Sequence, residues 1–409
     1  MRISFVADYR SPIARQWIDG ISSMGHDVQV ISSRAVPAAR DAPYLVETEL
    51  LGGVAVAQHV VTSGTPGQRR SSWLTTARAR VAPMARRVLD PLGPLEVRLH
   101  RRALHAKLNR FAPDIVHAMR LPYEGIATAG AWSRTPVIAS IWGNDLTLYA
   151  ERYRTVAWAT RATLRAVSAL HTDCERDQDL ARRWGYDDRR PSMVLPGAGG
   201  VRTDLFSPGP SPLRATLGIP ADAPVVLNPR GVRGYVHIPE FLRAVALVLA
   251  ERADVHIVCT GMSGVTAIER EIRRIPGNDR VHLLPVMSYP QMPDVYRLAD
   301  ITLSLTSHDG TPNSLLEALA TGCFPIVGPV ASVLEWIRDG ENGRVVSVTD
   351  AEAIARTVLE AVDAPQLRER ARSLNRSLVL ARADFDRCMT VAERFYESVL
   401  GTAKGVTRR

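Results

Sequence analysis

The chain has 409 residues, enough for two domains of ordinary size. Its 46% hydrophobic and 23% charged residues, with 28 Gly and 27 Pro, exclude collagen-like, disordered and disulfide-scaffold proteins. The net charge of +9 points to an anionic partner such as nucleic acid, a lipid surface or a phosphorylated substrate, but Lys107 and Lys404 are the only lysines, so where the arginines fall matters more than the total.

The opening MRISFVADYR reads as a strand, with no basic region leading into a long apolar stretch, so no signal peptide is expected. A turn from Asp8 to Pro12 leads to a helical pattern carrying Ile13, Trp17, Ile18 and Ile21. After Gly25-His26-Asp27 a second apolar run, VQVIS, completes a βαβ unit. Strand candidates at Asp114–His117, Pro136–Trp142 and Ala169–Thr172 alternate with helical patterns, which predicts a doubly wound parallel sheet. Five prolines between Pro208 and Pro224, around a short Leu-Arg-Ala-Thr-Leu helix, read as a linker. The pattern then restarts with the strand PVVLNPR, a helix over Ile238–Arg252, and the strands VHIVCTG and ITLSL. A last helix, Asp384–Leu400, is left over after a complete second domain. The expected division is a first domain over 1–207, a second over 208–383, and a helix over 384–403 packing back on the first.

The richest apolar stretch, FLRAVALVLA, is interrupted by Arg243 and ends at Glu251-Arg252, which excludes a membrane-spanning helix there. Cys174, Cys259, Cys323 and Cys388 are scattered singly, without zinc spacing, and fit a reduced cytoplasmic chain. Asp173 to Asp177 gathers acids and a cysteine but lacks the spacing of a metal loop. From Arg69 to Arg110 the chain has ten arginines and one lysine against Asp90 and Glu96, set among apolar residues. That stretch reads either as a contact with an anionic membrane surface or as a solvated helical face.

The densest cluster of chemistry is SHDGTPNSLLEALATGCFPIV, residues 307–327. A strand precedes it, Asp309-Gly310-Thr311-Pro312-Asn313 is turn sequence, and a helix opens near Ser314 with Gly322 as its cap. Such a loop aims backbone N–H groups and the positive end of a helix above the sheet, which suits phosphate, while Asp309 and Glu317 could hold sugar hydroxyls. The bland reading is equally specific: Ser314-Leu315-Leu316-Glu317 matches a capping box, and Asp309 a turn residue.

Asp309-x7-Glu317 followed by Ala-Leu-Ala-Thr-Gly-Cys-Phe-Pro resembles the E-x7-E signature of the retaining glycosyltransferases of family 4, which have a GT-B fold. Further segments follow in order: Met1 to Ser32 with Arg-x-Trp and Gly-His-x-Val, Pro113–Ala118, Ile141–Asp145, Val194–Phe206, and Asp339-Gly340-Glu341-Asn342-Gly343. The resemblance spans nearly the whole chain. It implies an α/β fold of two Rossmann-like doubly wound parallel-sheet domains facing across a cleft, with the final helix returning to the first.

Carried over residue by residue, the resemblance implies that Glu317 binds the ribose of a nucleotide-sugar donor and that Asp309 lies near the transferred sugar as a catalytic residue. Gly310, Thr311, Pro312, Asn313, Ser314 and Leu315 would hold sugar and phosphate. Arg230, in the place of the family's G-R arginine, would face the diphosphate; without the resemblance it reads as a solvated strand end. Asp145 and Ser11 would stand on the acceptor side. Four departures are visible. Tyr235 stands where the family usually has a lysine, with Arg233 the nearest substitute; the first signature acid is Asp; Tyr9-Arg10-Ser11-Pro12 replaces a Gly-Gly loop; and His117-x-Met119 replaces His-x-His. His117 therefore reads either as catalytic or as a packed structural histidine.

The expected activity is retaining transfer of a hexosyl unit from a UDP- or GDP-sugar to an acceptor hydroxyl, on a glycan or lipid-linked precursor, without metal or other cofactor. The expected location is the cytoplasm or the inner face of the plasma membrane. The alternatives are a non-catalytic relative serving as a partner subunit, and an epimerase or hydrolase on the same fold. Nucleic acid is not an expected partner, since no helix-turn-helix, zinc-finger or aromatic stacking motif accompanies the arginines.

Overall fold

A computed structural model describes residues 1–36, 41–51, 93–130 and 135–406. Most of the arginine-rich stretch lies outside these residues; its described part forms the helices Gly93–Leu99 and Arg101–Phe111. The chain divides into two compact units, Met1–Gly199 with Asp386–Arg409, and Gly200–Phe385.

The first unit is built on seven parallel strands: β1 (Arg2–Ala7), β2 (Asp27–Ser32), β3 (Leu45–Thr48), β4 (Ile115–Ala118), β5 (Val137–Ile141), β6 (Ala169–Thr172) and β7 (Ser192–Val194). Their spatial order is β3-β2-β1-β4-β5-β6-β7, so the direction of winding reverses between β1 and β4. Strands β4, β5 and β6 are buried at every residue, as strands covered by helices on both faces must be. The helix Pro12–Ser23 covers one face through Ala14, Trp17, Ile18 and Ile21, the apolar stripe legible in the sequence.

Two histidines lie within those buried strands, and hydrogen bonding settles their state. His171 Nε2 donates to the Leu195 carbonyl at 2.9 Å, so its Nδ1 accepts from Ser140 Oγ at 2.8 Å. Ser140 Oγ then accepts from His117 Nε2 at 2.7 Å, and His117 Nδ1 accepts from the Tyr396 hydroxyl at 2.7 Å. Tyr396 in turn accepts from Trp17 Nε1 at 2.9 Å. Each donor and acceptor in this relay is used once, and both rings are neutral; burial lowers His117 far below the ordinary histidine range and His171 to about 4. His117 is fully buried with both nitrogens bonded inside the fold, which is the packed arrangement among its two readings. The relay instead ties the helix Phe385–Val406, through Tyr396, to the first unit.

The second unit has six parallel strands: β8 (Val225–Asn228), β9 (His256–Cys259), β10 (Val281–Leu283), β11 (Ile301–Ser304), β12 (Phe324–Val327) and β13 (Arg344–Val345). Their order is β10-β9-β8-β11-β12-β13, reversing between β8 and β11. Alternation along β8 sorts the core onto two faces. Val226 packs with Phe241, Val245 and Ile354 on one side, Val225 and Leu227 with Phe206, Tyr296 and Leu316 on the other. The Pro208–Pro224 segment holds one short helix, Leu213–Thr216. Among the described residues no helix is long and apolar enough to cross a membrane.

Candidate functional site

In an open parallel sheet, ligands bind beyond the carboxyl ends of the strands where the winding reverses. In the second unit that point lies between β8 and β11, and the segments leaving these strands carry Arg230 and Asp309. Arg230 is held from its own backbone outward. Its N–H donates to Asn228 Oδ1 at 3.0 Å, and Gly231, with φ +61°, turns the chain immediately after it. The guanidinium is buried, donating from Nη2 to Asp309 Oδ2 and from Nη1 to Ser314 Oγ at 2.9 Å. Its Nε has no hydrogen-bond partner. Burial would lower this arginine, but Asp309 and Tyr235 outweigh it and hold it charged.

Asp309 is fixed in turn, its carbonyl accepting from Ser332 Oγ at 2.8 Å and its Oδ1 from Gly310 N at 3.2 Å. Thr311 is buried, with its Oγ1 accepting from Trp336 Nε1 at 3.3 Å. The helix that follows spans Asn313–Thr321, with Pro312 in the N-cap position and Gly322 closing it at φ +98°. Ser314 therefore lies inside the first turn, not at the cap, and the capping-box reading is corrected. Its hydroxyl serves Arg230, and Glu317 accepts from the Tyr296 hydroxyl at 3.0 Å. Burial pushes the Glu317 carboxyl up to about 7, against the opposing effects of Tyr296 and Arg230. Leu315 is buried beside Leu316 and anchors the helix to the core. Arg233 donates from Nη1 to the Tyr235 hydroxyl at 3.2 Å, and Ser307 N donates to the Tyr235 carbonyl at 3.1 Å, tying this loop to the end of β11.

The first unit treats its expected residues differently. Asp145 is buried, and its carboxylate takes Arg120 Nη2 at 2.6 Å, Trp142 N at 3.1 Å and Leu121 N at 3.4 Å. It holds Arg120 in place inside the fold of the first unit. Ser11 is the N-cap residue of the helix Pro12–Ser23, without a capping bond from its side chain. The sequence reading passed over Tyr296, Ser332 and Arg120, whose roles depend on side chains far apart in the chain.

Residues 211–377 match the family described as glycosyl transferases group 1, and residues 11–197 match the glycosyl transferase 4-like domain. The D-inositol 3-phosphate glycosyltransferase 2 of Catenulispora acidiphila is 29% identical over 206 residues, 48% of this chain and 47% of that protein. The chain thus spans about half the length of the curated relatives it matches. Sucrose-phosphate synthase of Thermosynechococcus elongatus has the same fold, with a TM-score of 0.74 at 15% identity over 98% of this chain and 100% of that one. HepE of Anabaena, solved in complex with UDP-glucose, gives a TM-score of 0.69 at 16% identity, covering 98% and 99% of the two chains. These likenesses establish two parallel-sheet α/β domains of the GT-B fold.

Proposed function

From a chain that belongs to the family 4 type of glycosyltransferases, we propose retaining transfer of a hexosyl unit from a UDP- or GDP-sugar to an acceptor hydroxyl. The observation that carries this reading is the constellation of Arg230, Asp309, Ser314 and Glu317 where the second sheet reverses. Glu317 binds the ribose hydroxyls. Arg230 exchanges part of its pairing with Asp309 for the donor diphosphate and stabilises the charge that grows on the leaving group. The bond between the sugar C1 and the phosphate oxygen breaks, a bond from C1 to the acceptor oxygen forms on the same face, and the acceptor proton passes to the leaving phosphate. Asp309 stands beside the transferred sugar. Positive charge comes from Arg230, with Arg233 adding to it as the nearest substitute for the family lysine whose place Tyr235 takes, and no metal is invoked. The UDP-glucose complex of HepE and the glycosyltransferase name of the curated relatives are in keeping with this donor class.

The acceptor side is assigned to the first unit, on a glycan or lipid-linked precursor at an anionic membrane surface. Exposed Leu95, Leu99 and Trp158, with Arg98 stacked on the Trp158 ring at 4.5 Å, support the membrane contact.

Calorimetry with UDP, GDP, ADP and their sugar conjugates, on wild type and Glu317→Ala, tests the reading. One base is expected to bind, with binding lost in the variant, and NMR of the product is expected to show the donor's anomeric configuration. Absence of nucleotide binding by the wild type defeats the transferase reading in favour of a non-catalytic partner subunit.

A further inference from the structure

The loop between β11 and the helix Asn313–Thr321 is gripped from a part of the second unit that the chemistry above leaves unused. Gly328 follows β12, its N–H donating to the Ser304 carbonyl at 3.2 Å. A Cβ there would stand 2.6 Å from the Thr306 carbonyl oxygen, so glycine lets the segment leaving β12 run against the one leaving β11. The short helix Ala331–Leu334 comes next, and Ser332 within it is fully buried. Its Oγ donates to the Asp309 carbonyl at 2.8 Å, and two residues past the helix Trp336 Nε1 donates to Thr311 Oγ1 at 3.3 Å. Trp336 is itself braced: the Arg382 guanidinium lies over its ring at 4.3 Å, and Arg382 Nη1 donates to the Glu335 carbonyl at 2.9 Å.

These two bonds fix more than the atoms they join. An aspartate has only two side-chain torsions, so its carboxylate goes where its main chain goes. Ser332 holds that main chain at the carbonyl of Asp309 itself, and Trp336 holds the loop again two residues on. The bonds from Gly310 N to Oδ1 and from Arg230 to Oδ2 then orient the carboxylate on the main chain so placed. The groups assigned to the nucleotide sit on other elements: Glu317 on the helix Asn313–Thr321 with Tyr296 as its partner, Arg230 just beyond β8. Misplacing a recognising group by about 1 Å can cost about a hundredfold, so a bond that places it from outside matters beyond its own strength.

We propose that Ser332 and Trp336 are positioning residues for the sugar end of the donor: by fixing the loop at Asp309 and Thr311 they set how well the hexosyl unit is recognised, and they leave the nucleotide end to Glu317 and Arg230. This rests on the transferase reading, which makes residues 309–311 the loop that meets the transferred sugar. A bond that only stabilised the fold would weaken nucleotide and nucleotide-sugar alike. A bond that places the sugar loop separates the two.

The test is calorimetry of the full chain with UDP, GDP, UDP-glucose, UDP-galactose, UDP-N-acetylglucosamine and GDP-mannose, on wild type, Ser332→Ala, Ser332→Thr and Trp336→Phe. The readout is the affinity for the tightest-binding nucleotide-sugar divided by the affinity for its nucleoside diphosphate. This ratio is expected to fall about tenfold in Ser332→Ala, and by a similar factor in Trp336→Phe, which keeps an aromatic ring beneath Arg382 but loses the N–H. Affinity for the diphosphate itself is expected to stay within about threefold of wild type. Ser332→Thr retains the hydroxyl and is expected to keep the wild-type ratio. Melting curves run alongside record the stability each variant loses, and a loss of stability alone leaves the ratio where it was. A wild-type ratio in either Ser332→Ala or Trp336→Phe, including one that results from a parallel fall in both affinities, overturns the proposal and leaves the transferase reading standing. Absence of nucleotide binding by the wild type overturns the transferase reading, and the proposal with it.

Discussion

Replacing Glu317 by Gln keeps an oxygen to accept from Tyr296 and removes the ionisable proton, so it isolates what the carboxyl's environment does. Burial raises this carboxyl from the ordinary 4.5 to about 7. A folded-state value above the unfolded one means that between these two pH values the native protein keeps a proton the unfolded chain has lost. Wild-type stability therefore falls as pH rises from about 4.5 through about 7, by at most about 3 kcal/mol for this group. The amide of the Glu317→Gln variant does not titrate and loses nothing over the same window. The stability of Glu317→Gln relative to wild type is thus expected to rise by up to about 3 kcal/mol from pH 4.5 to pH 8. Glu124 titrates near the same value in both proteins, and its contribution cancels in the comparison. Urea unfolding at both pH values, followed at the transition of the unit that carries residue 317, measures the difference. Donor binding is expected to fall in the same variant by about tenfold or more, since Gln offers hydroxyl donors one accepting oxygen where a carboxylate offers two. An unchanged stability difference at the two pH values would refute the burial argument.

Arg230→Lys keeps a charge but cannot reach Asp309 and Ser314 together, so UDP affinity is expected to drop about tenfold or more, with a stability loss of a few kcal/mol visible in the same calorimetry and melting experiments. Asp145→Ala leaves Arg120 without its buried partner and is expected to cost about 3–5 kcal/mol; a loss below about 1 kcal/mol in denaturant titration would show that Arg120 finds other company. Tyr396→Phe breaks two buried hydrogen bonds, to Trp17 and His117, with an expected cost of about 1–3 kcal/mol. That cost should be the same at pH 6 and pH 8, because both histidines of the relay are already neutral. Flotation with anionic liposomes is expected to carry the protein at low salt and release it at high salt; failure to float at low salt removes the membrane contact from the proposed function.

The strands and helices of both sheets could be read from periodicity because each of these segments buries a fixed face, and a face repeats along the chain. The cluster at 307–327 could be read as well, since its turn residues, helix and Gly322 cap are local features. Sequence also separated the two alternatives for Glu317 without deciding between them. A capping box and a ligand carboxyl have the same spelling; the helix start at Asn313 rules out the first, and the surroundings of the carboxyl come from Tyr296 and Arg230, which lie 21 residues before and 87 before it in the sequence. His117 shows the same limit. Its neighbours in sequence are strand residues, whereas its state is set by Ser140 from the adjoining strand and Tyr396 from the last helix. The partner of Asp145, Arg120, likewise lies 25 residues before it in the sequence. Local pattern is encoded by which residues recur along the chain, so one sequence suffices to read it. The protonation, pairing and accessibility of a charged group are decided by whatever the fold brings within a few ångströms, and that is determined only when the strands have taken their order.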